Sequence, residues 1–306
     1  QIDQIKVEDI ESIKSHRARV LYYRVLAFYY FSNSDNLRFY QTNKALVALM
    51  ESNQVLLKED LSEYISTLSN LSMSSGKLKK YNEVIQCLNK LKKLKPNTFD
   101  DELKIHRQYY ANKFQLCIIK GDFEEGLKEL NTHLAEVKKY DDQLFERNSF
   151  YFQYFYICYG AEQYDKALEY LNKWLSLPKT VERQDLQSIA RILNLIIHYE
   201  MGNTLLLDSL LRSTYRFLNK RNNLHQFERK MVSFIREASK IQDKRTLRDA
   251  FREIKQDFDE LSRVSTEKAT LRLFDIEAWL ISKIERKSFA QVLKEKYEKQ
   301  LASSPG

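Results

Sequence analysis

The chain has 306 residues, 43% hydrophobic and 30% charged, with a formal net charge of +8. Six glycines and three prolines are few beside the roughly 7% and 5% of average proteins, which excludes a fold built on tight turns and β-hairpins. No apolar run approaches the roughly 18 residues that a membrane-crossing helix needs.

The chain opens QIDQIKVEDIESIK, without the charged-then-apolar layout of a secretory signal. It begins on Gln1 rather than methionine, so further residues are expected upstream, and whether they include a removed signal or a preceding domain stays open. A helical piece is predicted at about 4–14. From there the chain reads as helix pairs. First helices fall at about 16–31, 58–74, 100–119, 141–159, 182–201, 224–240 and 267–285. Their partners fall at about 36–51, 77–94, 122–138, 162–176, 204–220, 244–261 and 288–300. Helical period carries these assignments. Phe123, Leu127, Leu130, Leu134 and Val137 form one stripe, and Leu247, Phe251, Ile254, Phe258 and Leu261 another. No segment alternates with period two, so no β-sheet is expected. The tail 302–306 reads as disordered, leaving 1–301 as a single domain.

Boundary residues agree with the pairing. Asp100, Asp101, Asp141 and Asp142 stand where carboxylates cap helix N-termini. Pro96 and Pro178 stand where second helices must end. Gly76, Gly121, Gly160 and Gly202 mark expected turns within pairs, 45, 39 and 42 residues apart. The turns near 242–245 and at Arg286–Lys287 lack a glycine.

Three segments repeat one pattern: KLKKYNEVIQCLNKLKKLKP (77–96), GDFEEGLKELNTHLAEVKK (121–139) and EQYDKALEYLNKWLSLPK (162–179). Each has an aromatic (Tyr81, Phe123, Tyr164), then a small or β-branched residue (Val84, Gly126, Ala167) and an adjacent aliphatic (Ile85, Leu127, Leu168). A leucine follows (Leu88, Leu130, Leu171). Repeats of this size predict stacked units. These residues resemble the tetratricopeptide repeat family, most clearly over 77–180. The resemblance implies a right-handed, all-α solenoid of antiparallel helix pairs whose concave wall, built from first helices, binds a peptide or protein. The period here is longer than the family's, and the first and last units match only as helix pairs.

Little in the sequence points to chemistry. Five histidines are scattered, with no HExxH and no Cys/His cluster, so no metal site is expected. No phosphate-binding glycine loop or nucleophile elbow occurs, so neither enzymatic activity nor a cofactor is expected. Cys87, Cys117 and Cys158 have no CxxC spacing and suit a reducing, cytoplasmic setting as buried apolar residues.

Two constellations remain. Carried over by the resemblance, the family's inner-wall positions fall on Gln108, Ala111, Gln115 and Ile118, on Arg147, Phe150, Tyr154 and Ile157, and on Ile189, Ile192, Ile196 and Tyr199. Of these, Gln108, Gln115, Arg147, Phe150, Tyr154 and Ile157 are the candidate partner groove. The run FYFQYFYICYG (150–160) is aromatic on all sides, so most of its faces must be buried. Arg212, Arg216 and Lys220 lie at i, i+4 and i+8 on one helix face beside the stripe Leu207, Leu211, Thr214 and Leu218. That face is a solvated surface or an attractor for polyanions. No nucleic-acid-binding signature accompanies it. The expected function is therefore a cytoplasmic protein-binding module. The alternatives are a nucleic-acid- or polyanion-binding regulator using the basic face, and a structural or homo-oligomerising segment of a larger protein.

Overall fold

With so little glycine and proline to interrupt it, the backbone stays helical. The computed structural model describes residues 10–140, 145, 148–177, 184–220, 226–261, 263 and 273–302, and among them every regular element is a helix. The chain divides into two compact units, Gln1–Leu116 and Cys117–Ser303, where the sequence suggests one continuous domain.

The first unit contains α1 (His16–Ser32), α2 (Asn36–Glu51), α3 (Gln54–Glu59), α4 (Leu61–Lys77), α5 (Tyr81–Lys93) and most of α6 (Phe99–Lys120). The second takes up the end of α6 and continues with α7 (Phe123–Glu136), α8 (Asn148–Gly160), α9 (Tyr164–Ser176), α10 (Gln184–Glu200) and α11 (Thr204–Asn219). It closes with α12 (Gln226–Ala238), α13 (Lys244–Leu261), α14 (Ile276–Glu285) and α15 (Phe289–Ala302). The expected helix pairs are present, with ends shifted by up to about a turn. The six-residue α3 was not foreseen. Of the piece expected at 4–14, Ile10–Ser12 forms a 3-10 turn. The starts expected at 141, 182, 224 and 267, with Asp141, Asp142 and Pro178, lie outside the described residues.

Six helix junctions share one geometry. Ser34, Lys79, Gly121, Glu162, Gly202 and Arg286 each take a left-handed conformation, with φ between 58° and 68°. The next residue donates its N–H back to a carbonyl five positions earlier: Asp35 to Tyr30, Lys80 to Ser75, Asp122 to Cys117, Gln163 to Cys158, Asn203 to His198 and Lys287 to Ser282, at 2.8–3.0 Å. This is the Schellman stop, which satisfies the last carbonyls of a helix and reverses the chain. Sequence reading places these turns on glycines, but only Gly121 and Gly202 fill the left-handed position. Gly76 lies within α4, and Gly160 is the last residue of α8. A Cβ on Gly160 would lie 2.3 Å from the Phe123 ring, so its glycine serves close packing instead.

In the first unit, Leu46, Ile65, Leu68 and Leu91 form the centre of the core. Polar ties cross it. The Tyr40 hydroxyl and Lys44 ammonium both donate to Glu83, at 2.7 and 2.9 Å, joining α2 to α5. The Tyr64 hydroxyl donates to Glu51 at 2.5 Å, joining α4 to α2.

The second unit is organised around α8. Phe155, Ile157 and Cys158 have no exposed surface. The last two helices come back to the first ones. Phe289 of α15 stacks on Phe274 with centroids 5.3 Å apart, and lies 6.0 Å from both Phe123 of α7 and Tyr156 of α8. The Asp275 N–H donates to the Tyr156 hydroxyl at 3.1 Å. A second aromatic group, Phe251, Phe234 and Tyr199, surrounds Trp279 of α14. Each buried ring contributes roughly 1.5–3 kcal/mol by leaving water. A stack in which units touch only their neighbours has no such return contact.

Gly121 is where turn and closure meet. A Cβ there would lie 2.8 Å from the Ala290 carbonyl oxygen and 2.9 Å from the Lys294 nitrogen, both backbone atoms of α15. Gly121→Ala should therefore cost more than the roughly 1–2 kcal/mol of left-handed strain alone. Glu162→Gly, which removes that strain, should stabilise by up to about 1 kcal/mol. Urea denaturation of the full chain measures both. Equal shifts in one direction would show that turn geometry is not the controlling factor.

Candidate functional site

The candidate site is on the first unit and begins with the composition of α1. Its central run VLYYRVLAFYYF (20–31) contains one charged residue, Arg24. A helix this apolar must bury more than one face or leave one exposed. Val20 and Ala27 are buried against the core. Leu21, Val25, Phe28 and Phe31 are 56%, 44%, 73% and 50% exposed. The first three fall at i, i+4 and i+7, so they share one outward stripe.

Ion pairs hold this helix in place. Arg17 reaches Glu59 of α3 at 2.7 Å, and Arg24 reaches Glu63 of α4 at 2.8 Å. The Ser15 hydroxyl caps the helix start, accepting from the Ala18 N–H. Phe31 is fixed by the Phe39 ring, with centroids 5.4 Å apart, and Lys77 lies over its face at 5.7 Å.

Beside the stripe, α1, α2 and α4 enclose a cavity of about 250 Å³. Phe28 and Phe31 form one wall, Thr67, Asn70 and Met73 of α4 the other, and Phe39, Asn43 and Leu46 of α2 the floor. Asn43 is 1% exposed. Its amide donates to the Phe39 carbonyl at 2.7 Å, while its side-chain oxygen accepts no hydrogen bond among the described residues. A buried acceptor in that state costs free energy until a donor reaches it. The cavity thus has mixed walls, apolar at Phe28, Phe31 and Met73 and polar at Thr67, Asn70 and the Arg24–Glu63 pair, with the Asn43 oxygen buried beneath its floor.

The residues singled out in the sequence are placed elsewhere. Gln108 is half-buried on α6, where its side-chain oxygen accepts from the Ser69 hydroxyl at 2.7 Å. Asn112 joins this network, donating to the Ser69 hydroxyl at 3.0 Å and the Gln108 backbone carbonyl at 2.7 Å. Gln115 is exposed, Ala111 half-buried and Ile118 buried. Phe150, Tyr154 and Ile157 are core residues of the second unit, 3%, 3% and 0% exposed, not the lining of an open wall. His133 stacks on Phe150 with centroids 5.5 Å apart and meets the Tyr154 hydroxyl through Nε2. Burial pushes the Tyr154 phenol well above its ordinary pKa. Ile157 faces Gly126, where an added Cβ would lie 3.2 Å from it. Ile189, Ile192 and Ile196 are fully buried. Arg147 lies outside the described residues. Arg212, Arg216 and Lys220 are exposed at the surface of α11, while Leu207, Leu211, Thr214 and Leu218 are buried beneath them.

All three cysteines are buried. Burial pushes the Cys87 thiol up to about 11 and the Cys158 thiol up to about 12, which keeps both protonated and poorly nucleophilic near neutral pH. Among the described residues, no group of His, Cys, Asp and Glu is arranged to hold a metal ion, and no helix is long and apolar enough to cross a membrane.

Comparison of the chain with protein-family models and with curated proteins finds no match to either.

Because Phe150 and Tyr154 are core residues, Phe150→Ala and Tyr154→Ala should each lower stability by about 3–5 kcal/mol, the usual cost of emptying a buried aromatic site. Urea unfolding followed by circular dichroism tests this. Losses below about 1 kcal/mol would instead mark the two rings as surface residues.

Proposed function

We propose that this chain is a protein-interaction module that performs no chemistry. It docks an amphipathic segment of a partner protein against α1 of its first unit. The observation that carries this reading is the exposed stripe Leu21, Val25 and Phe28 beside a cavity lined by Phe28, Phe31, Phe39 and Met73. Contiguous apolar surface of this kind marks interaction sites on soluble proteins. The docked segment places an apolar anchor between Phe28, Phe31 and Met73.

The same reading takes the helical hairpins as tetratricopeptide-like repeats stacked with a right-handed turn, in a cytoplasmic protein. Recurrence of one left-handed stop at six junctions supports a common repeat. The partner groove moves from the middle of the chain to its first unit, because the expected wall at Phe150, Tyr154 and Ile157 is filled by neighbouring side chains. The closure of α15 onto α7 and α8 favours a second reading, in which the second unit is a structural part of a larger assembly.

Selection from a displayed library of random peptides tests the first reading. The full chain should enrich amphipathic peptides, and Phe28→Glu should abolish their binding without lowering the unfolding midpoint, since Phe28 is 73% exposed. Failure to enrich any peptide, or peptides that bind Phe28→Glu as well as the parent chain, would refute docking on α1. Concentration-dependent dimerisation abolished by Phe28→Glu would assign the stripe to a second copy of the chain instead.

A further inference from the structure

We propose that the second unit carries a binding site for a small organic phosphate, formed where the end of α10, the start of α13 and the end of α14 meet. A cavity of about 330 Å³ lies there. Four cations line it: Lys244 and Arg248 from α13, Lys283 from α14 and Arg286 from the turn that follows. Glu200 is the one carboxylate in its lining.

That carboxylate is already committed. Its side chain is 7% exposed, it accepts from the Trp279 indole N–H at 2.6 Å, and it pairs with Lys283. Lys244, Arg248 and Arg286 are left without an ion-pair partner among the described residues. The nearby Asp243 forms no ion pair with them among the described residues; its Oδ2 accepts from the N–H and hydroxyl of Thr246, both at 2.7 Å.

Three unpaired cations around one cavity repel each other, and Lys244 and Arg248 stand at i, i+4, where like charges destabilise a helix. A bound dianion reverses the sign of that interaction. Guanidinium forks match the oxygens of a phosphate, and two of the three cations are arginines. The rest of the lining is apolar. Leu247, Tyr199 and Phe251 give the organic body of the ligand a surface to rest on. The cavity accommodates one headgroup with a compact body, whereas an extended polyanion needs a longer basic track.

The test is calorimetric titration of the full chain with phenyl phosphate, with inorganic phosphate and phenol as comparators. One saturable site is expected, with phenyl phosphate tighter than inorganic phosphate and phenol silent. Arg248→Gln should weaken phenyl phosphate about ten-fold, the scale of one charge-assisted hydrogen bond. Arg286→Gly should do the same without lowering the unfolding midpoint, because glycine suits φ 58° at that position. If Arg248→Gln does not fold, Arg286→Gly alone decides. Arg212→Gln on α11 should change nothing. Absence of saturable binding overturns the proposal. So does equal weakening by Arg212→Gln, which would mean diffuse attraction to a basic protein.

Discussion

The structure depends on one local constraint, the left-handed residue that ends the first helix of a pair. Once that residue is set and its neighbour's N–H has turned back to the carbonyl five positions earlier, the chain reverses within three residues. The next helix then has nowhere to go but against the last. Each hairpin is closed by contacts between residues near in sequence, which keeps the entropy of closure small. The cost is strain at Ser34, Lys79, Glu162 and Arg286, about 1–2 kcal/mol each for a residue with a side chain. The geometry persists at these four positions without glycine, so it is imposed by the packing of the hairpin and not by the turn residue alone. Gly121 is different, because the backbone of α15 rests against it and leaves no room for a Cβ.

Local hairpins do not by themselves make a closed body. In the second unit closure comes from aromatic rings far apart in sequence: Phe123 and Tyr156 near its start, Phe274 and Phe289 near its end. Their meeting gives this unit a core of its own. In the first unit α1 keeps its outer face apolar and exposed. The difference between the two units is therefore a difference in what covers an apolar face, and on that difference the functional reading rests.

Most of the helices were legible because their stripes are long and regular. The series through Phe123 and the series through Phe251 leave no other period. The six residues of α3 are too few to show one. The turns were misplaced at Gly76 and Gly160 because glycine is the usual signature of a left-handed stop, and nothing marks Lys79 or Glu162 as the residues that adopt it. The aromatic run of α8 was read correctly as needing burial on most faces. What buries it was not legible, since no local pattern in 150–160 encodes the approach of a helix more than a hundred residues later. The stripe on α1 is legible in VLYYRVLAFYYF, where one arginine interrupts twelve residues. The unpartnered oxygen of Asn43 has no sequence signature at all, because it depends on which groups surround that side chain.

The placement of positive charge separates adventitious basicity from recognition. In α13 the cations toward the C-terminus are balanced. Arg252 pairs with Asp249 at 2.7 Å, and Lys255 with Asp259 at 2.7 Å. Lys244, Arg245 and Arg248 at the other end stand where the helix dipole is already positive, and no acidic residue occupies the first turn. The one carboxylate at this end, Asp243 just before the helix, caps it by accepting from the Thr246 N–H. On α11 the opposite holds, because Arg216 lies in the last turn, where a cation complements the dipole. Arg216 thus has a sufficient explanation in helix electrostatics. Lys244 and Arg248 instead line a cavity whose single carboxylate already accepts from an indole and an ammonium.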